Sequence, residues 1–149
     1  MLIYRICRTE FASDLKASGF AGRWNHDGQW ILYSSATRSL AALELLARRS
    51  GQFLKYPYSI MELDVPSNSC STILPESLPY QWRHVSSYGR LREIGAKWYL
   101  RADSLVLSVP SVLIPQEQNY LINTQHPDFG NRVRLVAVDD FNWDDRLIL

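Results

Sequence analysis

The sequence lacks several features that mark specialised classes of protein. Its 149 residues include only two cysteines, Cys7 and Cys70, and three scattered histidines, which form neither a disulfide framework nor a recognisable metal-binding pattern. No run approaches the roughly twenty consecutive apolar residues of a transmembrane helix, and the N-terminus lacks the pattern of a signal peptide. These absences predict a cytoplasmic protein with reduced thiols, no metal site and no membrane association.

An excess of charge and the common nucleotide-binding loops are also missing. The net charge is only +1, so the composition does not indicate a nucleic-acid-binding protein. The sequence contains no GxxxxGKS/T loop, no GxGxxG after a predicted strand and no GxSxG turn. It therefore supports neither a P-loop, a Rossmann site nor a serine-hydrolase elbow. A nucleotide would have to be held by side chains that line a cleft.

Lysine is scarce, because arginine provides 13 of the 16 basic residues. The planar guanidinium group of arginine matches the shape of phosphate and carboxylate groups. The excess is compatible with an anionic ligand, and compositional drift in an arginine-rich genome explains it equally well.

Apolar periodicity predicts one α+β domain that spans residues 1–149. Strands are predicted over 2–7, 30–33, 58–65, 104–109 and 132–138, and helices over 37–49 and 91–101. Strands and helices do not alternate strictly, which favours an α+β domain over a doubly wound one. The segment 66–80 is rich in serine and proline and is predicted to be a loop that can act as a flap over a site.

The first predicted helix carries Glu44, the most informative single residue. Ser35 or Thr37 can cap the start of this helix, and apolar residues around its circumference predict burial on all sides. Glu44 shares a face with Leu40 and Ala41, an apolar setting that would strengthen its interaction with a developing positive charge. The alternative is an ordinary salt bridge to Arg48, four residues later.

Four further residues can bind or act on a charged nucleotide, and each has a plain structural alternative. Arg23 lies in a predicted loop, where it can bind a diphosphate or simply stack on Trp24. Tyr33, near the end of a strand, can stack on a planar base or pack in the core. Ser111 can bond a phosphate or a ribose hydroxyl, or satisfy a turn, and Asn119 adds an amide.

Arg5 lies on a largely apolar face of the first predicted strand. A charged residue in that setting needs a partner, a solvated cleft or a ligand. An edge strand, from which Arg5 extends outwards into water, explains the pattern equally well.

Taken together, these segments resemble the RES domain family, bacterial toxins of type II toxin–antitoxin systems that are named for an Arg, a Glu and a Ser. The resemblance covers essentially the whole chain and depends on the order and spacing of short motifs. The matching segments are Tyr4-Arg5-Ile6, Gly22-Arg23-Trp24-Asn25, Leu32-Tyr33-Ser34-Ser35, Ala42-Leu43-Glu44-Leu45, Val109-Pro110-Ser111, Asn119-Tyr120-Leu121-Ile122-Asn123 and His126-Pro127-Asp128-Phe129. The sequence departs from the family pattern at Thr124, where proline is frequent.

The resemblance implies a fold like that of the ADP-ribosyltransferases, with a split, strongly bent β core flanked by helices. It implies an enzyme that cleaves the nicotinamide–ribose bond of NAD+, as a glycohydrolase or a phosphorylase, and so depletes cellular NAD+. NAD+ would be the substrate, and no cofactor is expected. As implied catalytic residues, Arg23 would engage the phosphates or the nicotinamide ribose, Glu44 would stabilise the ribosyl cation, and Ser111 would position the diphosphate or ribose.

The resemblance also implies the substrate-binding residues and the partners. Tyr33 would stack on nicotinamide, Arg5 would support the catalytic arginine, and Asn119 would complete the substrate-binding set. A cognate antitoxin with an Xre-like helix-turn-helix domain would block the cleft, and a homodimer within the toxin–antitoxin complex is a further implied assembly. Two alternatives stay open: mono-ADP-ribosylation of a cellular protein, and a non-catalytic interaction domain.

Overall fold

A computed structural model describes residues 1–48 and 55–147, and in these ranges the strands form one mixed sheet. The strands are β1 (Leu2–Arg8), β2 (Ile31–Ser35), β3 (Tyr58–Asp64), β4 (Cys70–Thr72), β5 (Val106–Pro110), β6 (Gln118–Asn123) and β7 (Arg134–Phe141). The helices are α1 (Arg38–Arg48), α2 (Tyr88–Arg101) and the short α3 (Phe129–Arg132). The spatial order is β4-β5-β6-β2-β1-β3-β7, and β4 with β5 is the parallel pair.

The sheet is split between its two central strands, β1 and β2. These strands share the single register pair Tyr4–Ser35, whereas β1 pairs with β3 along its whole length and β2 pairs with β6 along its whole length. One half of the sheet is therefore β4-β5-β6-β2 and the other is β1-β3-β7. The prediction of an α+β domain with a split β core flanked by helices is confirmed.

Alternating side chains place apolar clusters on the two faces of the sheet. Ile3 of β1 and Leu32 of β2 point into the largest cluster, which draws residues from both halves. Their neighbours Ile6 and Ile31 point to the opposite face. On that face α1 packs over the β1-β3-β7 half and α2 packs over the other half. The two helices thus cover different halves of the same face of the sheet.

The predicted strands are confirmed with shifts of a few residues, but two strands were missed. β6 was not predicted, because asparagine near both of its ends is disfavoured in strands. The prediction of one continuous loop over 66–80 was wrong, since β4 lies inside it and pairs with β5. The described residues that line the main cavity include none from this segment, and its role as a flap over the site stays a prediction.

The two main helices lie where they were predicted, but the predicted burial of α1 on all sides was wrong. Thr37 caps α1, since its Oγ1 accepts a hydrogen bond from the Leu40 main-chain N–H at 3.1 Å. The predicted end of this helix at residue 49 lies outside the described residues. α1 is not buried on all sides, because Leu43 is exposed while Leu40 and Ala41 are buried. No helix in the described ranges is long and apolar enough to cross a membrane.

Helix α2 contains a glycine where the main chain of an active-site loop crosses it. A Cβ atom at Gly95 would lie 1.7 Å from the Trp24 carbonyl oxygen, so no other residue fits without movement of the loop. Gly95 weakens the helix intrinsically, but here it allows a close contact between α2 and the loop. Gly89, in the first turn of the same helix, faces open space.

Gly95→Ala is therefore expected to lower the free energy of unfolding by about 1–3 kcal/mol, because the new methyl group collides with main-chain atoms. Urea unfolding followed by circular dichroism measures the change. Gly89→Ala is the matched control and should be neutral or stabilising by up to about 1 kcal/mol, as usual for glycine to alanine in an open helix position. Equal unfolding midpoints for the two variants would contradict the close contact.

Candidate active site

A cavity with a volume of about 490 Å³ lies over the split in the sheet. Its walls are β2, the last turns of α1, the loop before β2, the start of α2 and the connection after β5. Five of the six residues predicted for the site line it, namely Arg5, Arg23, Tyr33, Glu44 and Asn119. The site therefore assembles from residues that are separated by up to about a hundred positions in the sequence.

Glu44 is held at one end of the cavity by two hydrogen bonds to a single oxygen. Its Oε1 accepts a bond from the Ser111 hydroxyl at 2.8 Å and another from the Asn119 side-chain N–H at 2.5 Å. Oε2 accepts no hydrogen bond from any described residue, and Glu44 does not form the predicted ion pair with Arg48. The carboxylate is thus oriented by neutral donors, and its charge is not neutralised by a basic neighbour.

Ser111 lies behind Glu44 rather than on the cavity wall. It is fully buried, and its hydroxyl donates to Glu44 while accepting the main-chain N–H groups of Leu113 and Ile114, both at 3.1 Å. These bonds fix the turn after β5. With its hydroxyl occupied in this way, Ser111 contacts the carboxylate rather than any group inside the cavity.

Arg23, which also lines the cavity, is held against an aromatic ring. Its Nη2 donates to the Tyr88 hydroxyl at 2.8 Å, and its Cζ lies 4.3 Å from the centre of the Tyr88 ring. The other terminal nitrogen, Nη1, is buried and has no hydrogen-bond partner among the described residues. A buried donor without a partner is costly unless a ligand supplies an acceptor. The alternative of an exposed arginine stacked on Trp24 is not observed.

Tyr33 is fixed by its hydroxyl group. The hydroxyl donates to Asn25 Oδ1 at 2.6 Å and accepts the Trp24 main-chain N–H at 3.2 Å. Burial raises the pKa of Tyr33 to about 12, although the Trp24 N–H and nearby arginines oppose the shift. The Cζ atom of Arg48 lies 5.4 Å from the ring centre. Tyr33 therefore presents a neutral ring in a fixed orientation.

Arg5 occupies the gap where β1 and β2 separate. In a continued antiparallel ladder Ile6 would lie opposite Tyr33, but instead the Arg5 Nη1 donates to the Tyr33 carbonyl at 2.9 Å. Burial lowers the pKa of Arg5 from its ordinary value. The expectation of an edge strand was wrong, because β1 is central, and the other expectation, a cleft with a partner, describes Arg5 correctly.

Three residues of the site were not assigned a role from the sequence. Tyr88 holds Arg23, Asn25 holds Tyr33, and Arg92 donates to the Gly22 carbonyl at 2.8 Å and so fixes the loop that carries Arg23. Asn25 was visible as part of a matching motif. The roles of Tyr88 and Arg92 depend on contacts between α2 and a distant loop, for which the sequence contains no local signal.

Comparison with known proteins places the chain in a family. The RES domain model matches residues 2–144. The chain belongs to the RES domain family. A protein named Toxin Res from Photorhabdus laumondii is 30% identical over 99% of this chain and 97% of its own length. One from Yersinia enterocolitica with the same name is 29% identical over 99% of both chains.

Two further similar proteins bear on the activity and the fold of this RES-domain toxin. A Sphingobium protein named Prs ADP-ribosylating toxin is 33% identical over 95% of this chain and 91% of its own length. The solved Mycobacterium tuberculosis MbcT-MbcA toxin–antitoxin complex contains a chain that superposes with a TM-score of 0.74. That match covers 94% of this chain and 83% of the other at 16% identity, which shows the shared fold. The family and the named relatives support an enzyme.

The raised pKa of Tyr33 generates a prediction about stability at high pH. Below about pH 10 the phenol is protonated in the folded and the unfolded protein, so its contribution is fully present. Between pH 10 and about 12 the unfolded chain ionises first, and about 2–3 kcal/mol of stability should be lost. Urea unfolding of the wild type and of Tyr33→Phe from pH 8 to 11.5 measures this loss, which the variant should lack.

Tyr80→Phe is the matched control, because Tyr80 is almost fully exposed. This control should keep the wild-type dependence on pH. The same slope above pH 10 in the wild type and in Tyr33→Phe would contradict the burial of the Tyr33 phenol.

Proposed function

We propose that this RES-domain toxin cleaves the bond between nicotinamide and ribose in NAD+. The observation that carries the proposal is Glu44, a carboxylate oriented by two neutral donors at one end of a cavity whose other charged residues are arginines. A fixed negative charge stabilises the sugar cation that forms as nicotinamide leaves, and arginines bind the diphosphate. The same cavity thus provides a carboxylate for the ribosyl cation and arginines for the diphosphate.

The proposed reaction needs no strong acid at the first step. The bond between ribose C1′ and the pyridinium nitrogen breaks, and its electron pair returns to the nitrogen, so nicotinamide leaves as a neutral molecule. Positive charge builds on C1′ and the ring oxygen, where the carboxylate of Glu44 lowers its energy. An incoming water bonds to this carbon, which is numbered C1″ in the product, releases one proton to the solvent and gives ADP-ribose. Phosphate in place of water gives ADP-ribose 1″-phosphate.

The remaining residues fit supporting roles in this proposal. Arg23 offers an unpaired guanidinium nitrogen to the diphosphate, and the ring of Tyr33 offers a flat surface to nicotinamide. Arg5 holds the main chain at Tyr33 through its bond to the Tyr33 carbonyl. Ser111 and Asn119 act as positioning residues, since both bond Glu44, and this differs from the role at the diphosphate or ribose that the resemblance implied for Ser111.

A second candidate function is transfer of ADP-ribose to a protein, and the Sphingobium relative named as a Prs ADP-ribosylating toxin favours it. The same carboxylate would serve both reactions, because they differ only in the acceptor. The solved toxin–antitoxin complex supports a further proposal, that an antitoxin binds this chain. An Xre-like helix-turn-helix domain in that antitoxin, a homodimer of the toxin and a cytoplasmic location belong to the same proposal.

The purified protein should consume NAD+, and Glu44→Gln should lower kcat by at least about a thousandfold, because a neutral amide cannot offset the ribosyl charge. Free nicotinamide measured by chromatography, with and without phosphate, reports cleavage. Label retained on added bacterial protein reports transfer instead. Glu76→Gln is the matched control, because Glu76 is exposed and lies in segment 66–80, which does not line the cavity. Full turnover by Glu44→Gln would remove Glu44 from the mechanism.

Ser111→Ala should lower kcat about ten- to a hundredfold with little change in KM, because Glu44 loses one of its two orienting bonds while the arginines stay in place. The variant should also lose about 1–3 kcal/mol of stability, since two main-chain N–H groups lose their acceptor. Steady-state kinetics and urea unfolding measure the two effects. Ser77→Ala, in an exposed turn, is the control. A rise in KM with unchanged kcat would place Ser111 on the substrate instead.

A further inference from the structure

An aromatic side chain stands in water at the rim of the large cavity. Phe20 is 78% exposed, and it belongs to the cavity lining together with Arg23, three residues later. A single exposed phenylalanine is ordinary on a protein surface. Phe20 is informative because its loop is held by hydrogen bonds and because it lines the same cavity as Glu44.

The main chain of the Phe20 loop is held by hydrogen bonds at consecutive residues. The carbonyl of Phe20 accepts the side-chain N–H of Asn25 at 3.0 Å, and Asn25 is the residue that also orients Tyr33. The other bonds are Gly28 N–H to Gly19 O at 2.8 Å, Ala21 N–H to Asp27 Oδ1 at 2.8 Å and Phe20 N–H to Ser18 Oγ at 3.2 Å. Gly19 has φ +74° and packs against Trp30, so the turn needs glycine. The exposed ring is therefore presented by an ordered loop.

Two cavities meet at the end of the site that holds Glu44. The smaller cavity shares with the larger one the residues Arg5, Tyr33, Glu44, Arg48 and Asn119. Phe20, Arg23 and Tyr88 line the larger cavity alone. Phe20 thus lines the same cavity as Arg23 and Glu44, but it lies outside the part that the two cavities share.

We propose that Phe20 is a specificity-determining residue that stacks on the purine base of the dinucleotide, a proposal that rests on the function proposed above. With the scissile bond at Glu44 and the diphosphate at Arg23, the part of the substrate beyond the diphosphate is a nucleoside. Its base has an apolar face and would find an ordered ring of matching shape. Because base–aromatic stacking needs no hydrogen-bond pattern, Phe20 recognises the presence of an aromatic base.

Phe20→Ala should raise KM for NAD+ about tenfold, the order expected for loss of one base–aromatic stack, while kcat changes less than threefold. Phe20→Trp should restore the wild-type KM, because it returns a ring to the same place. Phe11→Ala is the matched control, since Phe11 is also exposed but lies outside the cavity lining. A KM for Phe20→Ala within twofold of the wild type would overturn the proposal.

Calorimetric titration with ADP-ribose separates this proposal from the proposed function. Failure of the wild type to consume NAD+ refutes the function, and the titration then tests Phe20 independently. About tenfold weaker binding of ADP-ribose by Phe20→Ala than by the wild type and by Phe11→Ala supports the stack. Equal binding by all three proteins, or no binding by the wild type, overturns it.

Discussion

Tyr4 and Ser35 form the one register pair between the halves of the sheet, and the site depends on the separation of the strands beyond that pair. Because the strands diverge, the Tyr33 carbonyl is open to Arg5, and the face above the gap is open to a ligand. Helix α1 begins three residues after β2 and packs on the other half, so it passes over the gap with Glu44 on its underside. The bonds from Ser111 and Asn119 then tie this helix back to β5 and β6. Contacts that orient the carboxylate therefore also link the two halves of the sheet through α1.

The charges in the cavity oppose each other in a way that suits a dinucleotide. Three guanidinium groups line it, from Arg5, Arg23 and Arg48, against the one carboxylate of Glu44. Such an excess attracts a diphosphate, but the same positive field would raise the energy of a cation on the neighbouring ribose. In the proposed reaction, the carboxylate of Glu44 would reverse this field at the reacting carbon. Its neutral donors leave that charge in place, which an ion pair with Arg48 would have weakened.

Apolar periodicity was sufficient to predict the α+β class, and the resemblance to the RES domain family implied the split core and the five residues that line the cavity. The sequence was insufficient where a role depends on tertiary contact. Arg23 and Tyr88 are 65 positions apart, and the position of Tyr88 just before a predicted helix gives no sign of their bond. β6 was missed because its asparagines are unfavourable in strands, and Asn119 is there to bond Glu44. In β6, the contacts of the folded active site therefore override the low preference of asparagine for strands.

The choice of arginine over lysine around the cleft has a consequence for how a cell controls such a protein. Arginine keeps its proton at every acidity that living cells reach, so the attraction of these walls for phosphates is permanent. Lysine or histidine in the same places would let modest changes in environment or acetylation weaken that attraction. Acetylation or a modest change of pH would therefore leave the attraction of these arginines for phosphates unchanged.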